Sequence, residues 1–367
     1  MKNIEDMLDD VLDRYLELPH DARRLELNAQ AVKLADQAKD SYWMLVTRAD
    51  YAFEIVASGD APKALPVCAE FDALLKQYPD VLESREETFY SLQVAEIAMS
   101  LFEDIPQIPL EQCQSLLDDF WNKVKKYQTG ERLWYQYAMT FYKYLDREKA
   151  KEYYQKFLDT PRDMVSDCEA CEQDSAVSFA LYLEDYPQAM KLAQPILNGQ
   201  LSCLDIPQQT YATLADNALN HGNLKEAKQW IPPLVQIARR NKGDLDYIGI
   251  MIRGLAYTDL PLGQRLLQEH IGWTIHLWNQ NTLLSFDIGA WVLCHELGKQ
   301  QDTVNFVFPK EFPLWQQNGQ YKVSELENWF SKEAIDISLR FDKRNGTDYF
   351  MKRIHIVEDQ IEKGMSE

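Results

Sequence analysis

Three of the six cysteines in this chain are spaced for chemistry. Asp167-Cys168-Glu169-Ala170-Cys171 carries a Cys-x-x-Cys pair, and Cys203 follows in Leu201-Ser202-Cys203-Leu204-Asp205-Ile206-Pro207. Two thiolates at that spacing can meet one tetrahedral metal, and Cys203 can supply a third sulfur if its loop lies on the same edge of the fold. His221 fails as a fourth ligand. It lies 14 residues beyond Pro207 along one expected helix, about 20 Å away at ~1.5 Å per residue. Asp167, Asp205 or water would have to serve. The expectation is buried thiols or an opportunistic disulfide and no cofactor, with a structural zinc clip as the alternative. A redox reading is disfavoured by Asp167, Glu169 and Glu172, which oppose thiolate formation, and by the absence of a βαβ context.

Elsewhere the chain offers little catalytic chemistry. His270 and His276 are six apart, on different faces of a helix, and His295-Glu296 lacks the second histidine of a metalloprotease motif. No glycine-rich phosphate loop and no Gly-x-Ser-x-Gly elbow occurs. No catalytic residue is expected, and the chain reads as a non-enzyme.

Charge narrows the partners. Thirty-eight Lys and Arg against 58 Asp and Glu leave a net charge of −20 over 367 residues, which disfavours nucleic acid and anionic membrane surfaces. Basic clusters at Lys123–Lys126, Arg239–Lys242 and Lys343–Arg353 are short and flanked by acid, so they read as solvated helix ends. No window approaches the ~18 apolar residues of a membrane span, and MKNIEDMLDD is unlike a signal peptide. A cytoplasmic location follows as an expectation, with the cysteines kept as thiols.

The elements that must position these residues are helices. Apolar residues recur three and four apart in 133–145, 176–183 and 210–219, strand-like alternation is nearly absent, and glycine is scarce. Turn segments at 58–62, 145–148, 184–187, 221–224 and 257–261 join them in pairs. Each turn is followed by a small residue, Ala64, Ala150, Ala189, Ala227 or Gly263, where two helices can cross closely. The last four of these are 39, 38 and 36 residues apart, with a weaker unit expected around Thr303. A period of this size indicates stacked helix hairpins.

On these residues the chain resembles a tetratricopeptide repeat protein. The unit beginning at Glu131 presents Trp134, Ala138, Phe141, Tyr154 and Pro161 in the order of that family's pattern. The unit from Gln208 presents Tyr211, Leu214, Ala215 and Ala227, and the unit from Asp244 presents Tyr247, Ile250 and Gly263. The units run longer than the family's ~34 residues. A second resemblance, to a bacterial group of tetratricopeptide-like proteins without an assigned activity, rests on three segments. These are Asp167–Cys171, Ala193–Cys203 with its A-x-P-I-L-x-G-x-L-x-C pattern, and the R-F-D-x-R-N-G-T run at Arg340–Thr347. It implies a bacterial origin and supports grouping the three cysteines.

The first resemblance implies an all-α, α-α superhelical solenoid: an N-terminal helical cap over 1–40, a repeat array over 41–303 and a C-terminal helical cap over 304–367. It also implies that the first helix of each unit lines a concave groove, through Arg132, Tyr135, Met139, Tyr142 and Lys143, then Asp174, Ser178, Leu181 and Tyr182, then Gln209, Asp216 and Asn220. Aromatics beside hydrogen-bonding groups suit an extended peptide or a partner helix. The expected function is a non-catalytic scaffold that binds a protein or peptide. A peptide-responsive bacterial regulator acting through a partner is the alternative, and a thiol- or metal-dependent enzyme is a third.

Overall fold

Four turns repeat one local design. In each, Asp146, Asp185, Asn223 or Asp259 ends the link between two helices, and its side chain accepts backbone N–H groups from the first turn of the second helix. Such a cap is worth about 1 kcal/mol. Four residues on, the N–H of Ala150, Ala189, Ala227 or Gly263 donates to the cap residue's carbonyl at 2.9–3.1 Å. The three alanines are fully buried, and a Cβ on Gly263 would sit 2.9 Å from Leu293 Cδ1. The small residue is therefore required by the helix crossing.

The computed structural model describes residues 3–19, 22–238 and 242–365. Met1, Lys2 and most of the Arg239–Lys242 basic cluster lie outside the described residues. Contacts divide the chain into two compact units. One is the chain up to Glu103 with Ile108–Ser166, and the other is Asp104–Gln107 with the chain from Asp167 onward. The division at Ser166 falls inside the stretch expected to form one array over 41–303.

The first unit contains α1 (Ile4–Leu16), α2 (Ala22–Ala38), α3 (Ser41–Ala57), α4 (Ala64–Gln77), α5 (Ser84–Ser100), α6 (Leu110–Tyr127), α7 (Glu131–Lys143) and α8 (Arg147–Asp159). Successive helices pack on one another, and α3 packs on α5 and α5 on α7. Leu8, Val11, Leu12 and Tyr15 of α1 are buried against α2, with Trp43 and Met44 of α3 packed on the same cluster. The pattern residues Trp134, Ala138, Phe141 and Tyr154 are all buried, and Trp134 Nε1 donates to Leu117 O at 3.0 Å.

The second unit contains α9 (Glu169–Tyr182), α10 (Tyr186–Leu197), α11 (Gln208–Asn220), α12 (Leu224–Ile237), α13 (Leu245–Thr258), α14 (Leu260–His270), α15 (Gln280–Gly298), β1 (Thr303–Asn305), β2 (Gln320–Lys322), α16 (Val323–Asn345) and α17 (Tyr349–Lys363). Here too hairpin partners pack together, with α9 on α11, α11 on α13 and α13 on α15. The α13–α15 crossing is the closest: a Cβ on Gly249 would collide with the Ser285 carbonyl, and one on Gly289 with the Gly249 carbonyl. The fold is all-α. Among the described residues no helix is long and apolar enough to cross a membrane.

One local expectation is corrected. The weaker unit around Thr303 is not a helix hairpin, because β1 and β2 form an antiparallel pair with Val304 opposite Tyr321. Val304, Phe306 and Phe308 are buried while Val307 is 80% exposed, a period of two that disfavours a helix there. Asp348 precedes the last helix without a side-chain cap bond of its own. The Asp342 carboxylate of α16 reaches over instead and accepts from Phe350 N and Met351 N at 3.0 and 2.8 Å. The last helix, α17, folds back onto α15 and α11 as well as α16.

Candidate functional site

Cys168 is the N-cap residue of α9, with extended backbone, and its sulfur accepts the Cys171 N–H at 3.1 Å. Cys203 approaches from the loop between α10 and α11. That loop is folded by Gly199 in the left-handed region, φ 74°, and by the Pro195 carbonyl, which accepts from Gln200 N and Leu201 N. Cys203 N then donates to Ile206 O at 3.1 Å, and the nearby backbone of Asp205 and Ile206 favours the charged form of the Cys203 sulfur. The result brings together residues 32 apart in the chain: Cys168 Sγ is 2.8 Å from Cys171 Sγ, which is 3.4 Å from Cys203 Sγ. All three sulfurs lie within 4.8 Å of one another.

Ala170, Ile196 and Ile206 form a buried apolar floor under the sulfurs, while Cys168 itself is exposed. Burial, the Cys168 contact and the Asp167 charge push the Cys171 thiol well above the ordinary thiol range. Burial also raises Cys203, against the lowering influence of the Asp205 and Ile206 backbone and of Cys171. Asp205 is raised by burial and by the charges of Asp244 and Asp167. In this acidic setting the group is poorly suited to a free, reactive thiolate and well suited to a cation. His221 is elsewhere, its Nδ1 2.9 Å from Asn217 O at the end of α11.

The residues expected to line a groove fall into both units. In the first, Arg132 Nη1 donates to Phe157 O and Thr160 O, each at 2.6 Å, with the guanidinium 4.2 Å from the Phe157 ring centroid. It thereby binds the carbonyl end of α8, as cations do at helix C-termini. Tyr135 and Tyr142, seven apart on α7, both stack on Tyr153 of α8, at 6.2 and 5.4 Å between centroids. Lys149 lies over Tyr142, and Lys156 over Tyr135 and Tyr153. All three tyrosines are half-buried and both lysines exposed.

In the second unit Asp174 is fully buried. Thr210 Oγ1 donates to its Oδ1 at 2.6 Å, and its Oδ2 meets no donor among the described residues. It is an interior residue of the α9–α11 contact, closed to a partner in this conformation. Asp216, Asn220 and Tyr182 meet α13 and α17 instead. Arg253 Nη1 donates to Asn220 Oδ1 at 2.7 Å and lies 3.4 Å from Asp216 Oδ1. Arg353 Nη2 lies 3.5 Å from the same carboxylate oxygen, and the Tyr182 and Tyr349 rings are 6.5 Å apart.

Sequence reasoning missed Tyr153 and its lysines, although the seven-residue spacing of Tyr135 and Tyr142 marks one helix face that α8 must meet. It also missed the pairing of His295 with Glu327, 2.9 Å apart, beside an open cavity of about 610 Å³ that Asp302 and Ser324 also line. Nothing in the spacing of residues 32 apart on two helices announces that pair. No protein-family model matches this chain, and no curated protein matches it.

Proposed function

We propose that this chain is a non-catalytic, tetratricopeptide-like scaffold that binds a protein or peptide partner in the cytoplasm, with neither nucleic acid nor membrane as its target. The observation that carries the reading is the Tyr135–Tyr142–Tyr153 stack. Its rings are rigid, half-exposed and amphipathic, the kind of side chain that supplies binding energy with little loss of conformational freedom. Lys149 and Lys156 add cations at its rim, which suits a peptide carrying an acidic group beside an apolar or aromatic anchor.

The test is affinity capture from lysate of the native cell, comparing the wild-type chain with Tyr135→Ala/Tyr142→Ala. A protein retained by the wild type and reduced about tenfold or more by the folded double variant supports the scaffold, that being the scale of a hot-spot loss. Equal capture by both removes the tyrosine surface from consideration.

A second reading, a peptide-responsive regulator acting through a partner, is favoured by α17. This helix engages Asp216 and Tyr182 within its own unit, so an amphipathic helix is already the occupant of that face. A regulatory peptide would compete with it. Peptide-dependent loss of hydrogen-exchange protection in 349–363 would support that reading, and unchanged protection at saturation would remove it.

A further inference from the structure

We propose that Cys168, Cys171 and Cys203 form a thiolate site for a zinc-class divalent cation, with its fourth coordination position on the solvent side. Four independent features converge on it. The first is distance. Sulfurs at ~2.3 Å from a tetrahedral zinc stand about 3.8 Å apart, and the three sulfurs here span 2.8 Å to less than 4.8 Å. The second is preparation for charge. The Cys171 backbone N–H donates to the Cys168 sulfur at 3.1 Å. Such donors orient metal ligands and stabilise thiolate charge.

The third feature is support from below. Ala170, Ile196 and Ile206 pack against Cys171 and Cys203 from the interior, and Cys168 is exposed on the other side. The fourth is the surrounding charge. Asp167 adjoins Cys168 in sequence, and its charge penalises the Cys171 thiolate standing alone and rewards a cation among the sulfurs. Water can complete a four-coordinate shell on the open side.

Binding needs no redox partner. As each S–metal bond forms, the S–H bond breaks and the thiol proton passes to solvent, up to three protons for one ion. The ion would fasten the N-terminus of α9 to the α10–α11 loop. This site is independent of the tyrosine surface, and either can fail without the other.

The full chain, reduced and stripped with chelator, is titrated with cobalt(II) alone and read by its sulfur-to-cobalt charge-transfer absorption. Zinc is then added in competition. The expected result is one cobalt per chain, displaced by zinc. Cys168→Ser is the decisive variant, because Cys168 is exposed and serine is itself a good N-cap, so folding is preserved. It should weaken cobalt binding by more than about 10-fold, the scale on which even an outer partner of a metal ligand acts. Cys203→Ser, checked by circular dichroism, should do the same. Absence of the charge-transfer band, or a band unchanged in both variants, overturns the site. So does a Cys168–Cys171 disulfide in the chain isolated from reducing cells, combined with no metal uptake after reduction.

Discussion

Arg253 Nη2 donates to Gln360 Oε1 at 2.8 Å, joining residues 107 apart in the chain. Arg253 is 1% exposed, and its charge is met from two sides: Asn220 and Asp216 on α11, and Gln360 on α17. The same glutamine turns its amide the other way, where Nε2 donates to Leu219 O at 2.6 Å. One side chain of the last helix thus satisfies both a buried cation and the carbonyl end of α11. Burial lowers the Arg253 pKa against the opposing pull of Asp216.

Replacing Gln360 with Ala should therefore cost more than one ordinary hydrogen bond. It leaves a buried guanidinium N–H of Arg253 without its partner, at about 1–3 kcal/mol, and takes one of two donors from the Leu219 carbonyl, which keeps the Gly222 N–H. Denaturant titration should show the drop, and hydrogen exchange should show α17 opening before α13. Unchanged exchange across 349–363 would mean that Gln360 does not hold this helix.

Asp174 predicts a pH dependence of definite sign. Burial raises its pKa from 3.8 to about 6 despite the Thr210 hydroxyl. The folded state therefore holds a proton that the unfolded chain releases, so stability falls as pH rises from about 4 to about 6 and is level above that. The loss is on the order of 3 kcal/mol by the usual conversion. Asp174→Asn keeps the acceptor for Thr210 and removes the titration. The variant should be more stable than wild type at pH 8 and indistinguishable near pH 4. A nearby reporter exists in Tyr247, whose own pKa is raised by burial first and in part by the Asp174 charge.

Gly249→Ala tests the α13–α15 crossing. The added methyl meets the Ser285 carbonyl, a backbone atom that cannot rotate away. Overpacking of this kind costs about 1–3 kcal/mol, occasionally more. A thermal melt should fall by several degrees. The control is Gly222→Ala: its Cβ meets nothing within 4 Å, but φ of +69° makes it strained by conformation alone. A larger loss at Gly249 than at Gly222 identifies helix packing as the cause.

Arg132→Ala should destabilise the α7–α8 hairpin by about 1–3 kcal/mol, because two carbonyls at the end of α8 lose a charged donor. The loss appears in the free chain, without any partner. If denaturant midpoints are equal while partner capture falls, Arg132 belongs to the binding surface and its contacts to Phe157 O and Thr160 O are incidental.

Local physics was legible in the sequence alone. Helix periodicity, the Asp or Asn at each turn and the small residue four places on are read within a few residues of one another, so the hairpins from α7 to α14 could be written down from spacing. The Cys-x-x-Cys pair and the expectation that Cys203 lies on the same edge belong to the same kind of evidence, since a constant repeat carries equivalent loops to one side. Tertiary structure decided what depends on distant partners. Asp174 looks like a groove residue by its position, yet the α9–α11 contact buries it. Arg132 turns back to its own hairpin because two carbonyls at the end of α8 lie within reach. The amphipathic pattern of α17 shows that one face must be covered, but many apolar faces would serve. Only the folded chain, where Gln360 meets Arg253 and Leu219 O, selects α11, because hydrogen-bond geometry discriminates among surfaces that hydrophobic burial treats alike.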